Sequence, residues 1–190
     1  MNKRRFSSCA AALAVGFALL LAAAALFIAQ RSAERRVYDR IPAITDALTA
    51  LLPERTAGFS GIQGDLRMPS AELEGERVCG LLVYGDAALP VFSEFDRKNP
   101  VKRPAVYSGS VYDGFLVLGG NAECFSFLQT LAGGETVSFT DLLGRAFLYR
   151  VDSIRHADEL GQALAADTAA LTLFVRINGG YLIARCTEGA

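Results

Sequence analysis

The sequence contains no tryptophan and one histidine, His156. One imidazole cannot supply a multi-His metal centre, so no metal site of that kind and no cofactor are expected. Cysteine is sparse: Cys9, Cys79, Cys124 and Cys186, with no C-x-x-C spacing. Cys9 falls inside an apolar run, which leaves three for the remainder of the chain. An odd, widely spaced set does not make a disulfide framework, and these thiols read as small buried hydrophobes. Neither sign of charge prevails, with 19 basic and 20 acidic residues and a net charge of −1. With no basic patch interleaved with aromatics either, no nucleic-acid partner is expected. Asp141, Asp152 and Asp158 are too scattered for a calcium loop and read as turn and solvent-facing residues. There is no internal repeat.

What the chain does have begins at its N-terminus. Lys3, Arg4 and Arg5 precede an uncharged run over residues 6–29. Roughly 20 apolar residues rising 1.5 Å each suffice to cross a bilayer core of about 30 Å. A cleaved signal peptide would carry a shorter apolar stretch and a small-residue exit. Ala22 to Ala25 offer such an exit, but the run continues through Leu26-Phe27-Ile28. The preferred reading is an uncleaved transmembrane helix over residues 1–30, with the lipid bilayer as partner. Basic residues flank both ends, Arg31, Arg35 and Arg36 on the far side. The cluster at the start favours a cytoplasmic N-terminus. The expectation is a single-pass protein of the plasma membrane with its domain on the extracytoplasmic face.

Residues 31–76 read as a helical stalk and linker. Val37, Ile41, Ile44, Leu48 and Leu51 recur at spacings of three and four, as on a helix that packs one face, and Pro42 is a candidate break. From Pro53 onward Pro, Gly, Ser and charge dominate, and an irregular segment is expected.

Residues 77–190 carry the folded domain. Strand-like runs occur at 78–84, 88–92, 115–118 and 136–139, and Phe147, Tyr149 and Val151 alternate within a longer strand over 145–154. Phe125, Leu128 and Leu131 suggest a short helix over 124–131, and the Ala-rich stretch 157–166 another. A charged loop fills 96–103, with Pro100 inside it and Pro104 just beyond its end. Residues 169–186 form a hairpin around Asn178-Gly179-Gly180, residues that accept φ > 0. Many short strands between turns, with helices inserted, imply a mostly antiparallel β-barrel or sandwich.

Leu89-Pro90-Val91, Tyr107-Ser108-Gly109-Ser110, Leu116-Val117-Leu118-Gly119-Gly120, Phe125 with Leu128 and Leu131, Tyr149-Arg150-Val151, Leu171-Thr172-Leu173-Phe174 and Ala184-Arg185-Cys186 fall in one order and spacing. In that order the set resembles the sortases, membrane-anchored cysteine transpeptidases of Gram-positive bacteria that join proteins to the cell wall or to pilins. The resemblance spans residues 80–186. It implies a mostly β fold: a sortase-like closed β-barrel of about eight strands with short inserted helices, preceded by the N-terminal transmembrane helix.

The same resemblance implies a catalytic His, Cys and Arg at three positions. Here those positions hold Asn121, Arg176 and Tyr181. An amide cannot shuttle protons near neutral pH, and a guanidinium that stays protonated cannot attack a carbonyl. A phenol keeps one donor but lacks the forked cation. Groups that act as a unit fail as a unit, so transpeptidation by the family mechanism is expected to be absent. Two functions follow. One is a non-catalytic, sortase-like partner in cell-surface or pilus assembly, with Asn121, Arg176 and Tyr181 as groove residues. It would bind a sorting-signal peptide, a surface protein or an active sortase. The alternative is an active sortase-type enzyme with relocated chemistry. Its thiol would be Cys124, where a helix start would lower the pKa, or less plausibly Cys186. His156 reads as a surface residue at a strand-to-helix boundary.

Overall fold

The computed structural model describes residues 3–54, 56–57, 67–96, 103–165 and 169–189; within the first helix the described side chains are those of 16–27 and of 39 onward. That helix, α1 (Lys3–Leu51), is continuous and runs through Pro42, where the sequence suggested a break. A proline costs one i→i−4 hydrogen bond. Burial of Ile44 and Leu48 in the turns that follow holds the helix across it. They pack with Val78, Leu81, Phe92 and Ala105, which accounts for the three- and four-residue spacing. Leu51, on the same expected stripe, is exposed.

Phe17, Leu19, Leu20, Leu21, Leu26 and Phe27 of α1 stand exposed. Among the described residues no helix is long and apolar enough to cross a membrane, and the rest of the apolar run lies outside the described side chains. The chain divides into two compact units, residues 1–40 and 41–190.

The second unit is built from strands β1 (Thr56–Ala57), β2 (Ala71–Leu73), β3 (Glu76–Tyr84), β4 (Ala87–Phe92), β5 (Ala105–Ser110), β6 (Phe115–Gly120), β7 (Thr136–Asp141), β8 (Arg145–Ala157), β9 (Leu171–Ile177) and β10 (Gly180–Glu188). Among the described residues, eight of them close into a barrel in the order β8-β10-β9-β6-β5-β4-β3-β7, with β7 returning to β8. β1 and β2 flank β8 and β3. They fall in the stretch expected to be irregular. Residues 58–66 of that stretch, and 97–102 of the expected charged loop, lie outside the described residues.

Alternation decides what fills the barrel. Phe147, Tyr149 and Val151 of β8 point inward beside Leu171, Leu173 and Val175 of β9 and Leu182, Ala184 and Cys186 of β10. The two expected helices are shorter than the apolar spacing suggested. One is a 3₁₀ turn, Ser126–Gln129, with Phe125, Leu128 and Leu131 buried as expected. The other is α2 (Leu160–Ala165). Cys79, Cys124 and Cys186 are buried, and none forms a disulfide.

Burial pushes the Cys79 thiol from 9.0 up to about 12. Burial, and then the hydrogen bond to Asp141, pushes the Tyr112 phenol from 10.0 up to about 12. The folded state therefore disfavours both anions. Their contribution to stability is complete below the unfolded values and is lost as pH climbs through the folded ones. Urea unfolding should give the same stability up to about pH 9 and a falling one from there toward pH 12. A flat profile across that window would count against the burial of both groups.

Candidate functional site

Three strand ends meet at one end of the barrel. β6 and β9 run parallel with Gly120 beside Val175, and β9 and β10 run antiparallel with Arg176 opposite Tyr181. Asn121 follows Gly120 directly, as Arg176 follows Val175, and is the first residue beyond the end of β6. Neighbouring strands are about 4.8 Å apart, so Arg176 and Tyr181 are adjacent across the β9–β10 pair. The turn that pairs Arg176 with Tyr181 needs its glycines: φ is +87° at Gly179 and +151° at Gly180.

The side chains are used differently. Asn121 is buried, and its Oδ1 accepts the Cys124 N–H at 2.6 Å. Its main-chain oxygen accepts the Phe125 N–H at 2.9 Å. The loop after β6 thus folds back on an asparagine cap, and Phe125 tucks against Gly120, where a Cβ would strike its ring. Arg176 is exposed and Tyr181 half-buried.

Arg176 and Tyr181 belong to the outer face of the sheet. Directly opposed residues share a face, and alternate residues return to it. Along β9 the outer positions are Thr172, Phe174 and Arg176; along β10 they are Tyr181, Ile183 and Arg185. This face is covered. Phe174, Val117 and Ile183 are 2%, 6% and 3% exposed. Phe95, Tyr107 and Tyr181 pack against them, as do Leu160, Ala163 and Leu164 of the α2 segment. The rings form a continuous cluster. Phe95 meets Tyr107 edge-on at 5.2 Å between centroids and Phe174 at 5.7 Å; Phe174 meets Tyr107 at 5.3 Å and Tyr181 at 6.3 Å. Arg185 Nη2 donates to the Ala163 carbonyl at 2.6 Å and ties α2 down.

This aromatic cluster has little trace in the sequence pattern. Phe174 and Arg176, two apart on one strand, carried a signal for a shared face; Phe95, in a loop, carried none.

The other residues considered from the sequence lie elsewhere. His156 is exposed on β8 opposite Leu182, one register from the Ala157–Tyr181 pair, so alternation turns it to the other face of the sheet. It is a surface residue, as expected, next to the end of β8 and shortly before α2 begins at Leu160. Cys186 is in the barrel core, and Cys124 is buried behind the Asn121 cap. Asp141 is fully buried, not solvent-facing as the sequence suggested, because its carboxylate satisfies three donors of its own turn and of Tyr112. No group of His, Cys, Asp and Glu among the described residues is arranged to hold a metal ion. A separate cavity of about 290 Å³, lined by Met68, Cys79, Ser93, Val106, Ser110 and Asp113 among others, shares no residue with the outer face. Burial pushes the Cys79 thiol up, opposite to the activation a nucleophile requires.

No family model matches the sequence, and no curated protein does. Solved structures do. The chain is similar to sortase A of Listeria monocytogenes, with 19% identity and a TM-score of 0.49 over 60% of this chain and 88% of that one. It is similar to sortase E of Streptomyces avermitilis, with 15% identity and a TM-score of 0.47 over 60% and 88%. A lid mutant of Streptococcus agalactiae sortase C1 gives 16% and 0.48 over 83% and 88%. These likenesses concern the fold alone.

Proposed function

We propose that this chain is a membrane-anchored, extracytoplasmic sortase-like protein that does not catalyse transpeptidation and instead binds a peptide or protein partner in cell-surface or pilus assembly. One observation carries the reading. The strand ends that the sequence resemblance marks for His, Cys and Arg lie side by side, and they hold a capping asparagine, an exposed arginine and a half-buried tyrosine. Arg176 offers a forked donor suited to a carboxylate or a peptide carbonyl, next to an aromatic face suited to apolar side chains. The thiols Cys79, Cys124 and Cys186 are buried, which argues against relocated thiol chemistry. The uncharged run at residues 6–29 supports the anchor.

Incubating the full chain, in detergent micelles, with sorting-signal peptides tests the reading. The expected result is no cleavage, and no labelling of Cys124 by a thiol-reactive analogue of those peptides. Cleavage that persists in Arg176→Ala and is lost in Cys124→Ala would establish the enzyme reading in its place.

A further inference from the structure

The outer face of β6, β9 and β10 is already occupied, and by the chain itself. Gly119 lies at its centre, where a Cβ would collide with the rings of both Phe95 and Phe174. Phe174 belongs to the sheet and cannot leave it. Phe95 does not: it stands beyond the end of β4, half-buried, and its ring reaches the face between Tyr107 and Phe174. The residues on either side are acidic and exposed, Glu94 and Asp96. Glu94 lies 3.9 Å from Arg77 in a solvent-exposed ion pair, an attachment worth little in water. A phenyl ring carried between two carboxylates thus sits in a notch that only a glycine leaves open.

The binding partner of such a face is described by what fills it. We propose that Glu94-Phe95-Asp96 is a built-in occupant of the peptide-binding face, and that the ligand displacing it is an extended segment of a partner protein presenting an aromatic side chain flanked by carboxylates. This rests on the reading of the barrel as a binding module. The ring of the incoming segment takes the place over Gly119, against Phe174 and Tyr107. A neighbouring carboxylate reaches Arg176, which is exposed on the same face two residues beyond Phe174, about 7 Å along the strand. The built-in segment sets the threshold for binding. If it is seated in roughly nine molecules of ten, it weakens the apparent affinity for an external segment about tenfold.

The probe is a capped peptide copying residues 91–96, Val-Phe-Ser-Glu-Phe-Asp, titrated into the full chain in detergent micelles. Phe95→Ala should bind it roughly tenfold or more tighter than the unaltered chain, because the competitor is gone. A peptide with alanine in place of its second phenylalanine should not bind, and Arg176→Ala combined with Phe95→Ala should lose most of the gain. Amide NMR signals of Val117, Gly119 and Phe174 provide a readout in the unaltered chain, where millimolar peptide should shift them even if Phe95→Ala folds poorly. Equal affinity with and without Phe95, or unmoved signals in both chains, would overturn the proposal and make Phe95 a packing residue only. Those outcomes leave the cleavage result untouched, so the two readings fail separately.

Discussion

Gly180→Ala should destabilise the barrel by about 3 kcal/mol, a strained φ and an overpacked contact each costing roughly 1–3 kcal/mol. The φ of +151° is one that L side chains rarely adopt, and the added Cβ would meet the Ala157 carbonyl, backbone of the neighbouring strand. Nothing there can rotate aside, unlike the rings over Gly119. The strain falls where Tyr181 pairs with Ala157 on one side and Arg176 on the other, so the candidate site loosens together with the fold. For a chain of this size the melting temperature should fall by about 6–12 °C. Gly161→Ala in α2 is the control: a Cβ there meets nothing within 4 Å, and helical alanine should be neutral or stabilising by about 0.5–1 kcal/mol. Equal melting temperatures for the two variants would rule out the constraint assigned to Gly180.

Where one face of a strand is wet, the barrel is legible in the sequence. Phe147, Tyr149 and Val151 are buried while Leu148, Arg150 and Asp152 between them are exposed, so a period of two survives in the letters. β9 hides that period. Leu171 to Val175 are all buried, the odd positions in the barrel and Phe174 beneath the aromatic cluster, so the run reads only as apolar. The inserted helices are shorter than their composition suggests for a related reason. The Ala-rich stretch favours helix from residue 157, but pairing of Ala157 with Tyr181 claims that residue for β8, and tertiary context overrides propensity. After β6, the Asn121 cap and the return of Phe125 to Gly120 leave a single 3₁₀ turn where a helix was expected.

The candidate site was legible in part. The ordered resemblance named Asn121, Arg176 and Tyr181; strand register pairs Arg176 with Tyr181 and sets Gly120, the residue before Asn121, beside Val175, the residue before Arg176. That the Asn121 oxygen is engaged as a cap could not be read, because an asparagine cap depends on the path of the loop and not on its composition. Phe95 was invisible for the same reason. It belongs to no periodic run, and its contacts at Tyr107 and Phe174 lie far off in sequence.

Asp141→Ala should cost about 3–5 kcal/mol, roughly 1–3 kcal/mol for the buried Tyr112 hydroxyl left without a partner and about 1 kcal/mol for each of two part-buried backbone bonds. Asp141 is fully buried. Its Oδ1 accepts the Leu143 N–H at 2.8 Å and the Arg145 N–H at 2.9 Å, closing the turn between β7 and β8. Its Oδ2 accepts the Tyr112 hydroxyl at 2.5 Å, and the Arg145 guanidinium lies 5.5 Å from the centre of that tyrosine ring. Alanine removes all three acceptors at once. The turn also supports the chain that leaves α1: a Cβ at Gly144 would press on Pro53, and the Thr56 N–H donates to the Gly144 carbonyl at 2.9 Å. Loss of the carboxylate should therefore raise amide exchange at Thr56 as well as lower the melting temperature. Asp141→Asn keeps Oδ1 for the two backbone donors and turns an amide toward Tyr112, whose hydroxyl can accept instead of donate. It should fall midway between the unaltered chain and Asp141→Ala in urea unfolding. If alanine and asparagine cost the same, the backbone bonds of the turn contribute nothing and the penalty lies wholly in the contact with Tyr112.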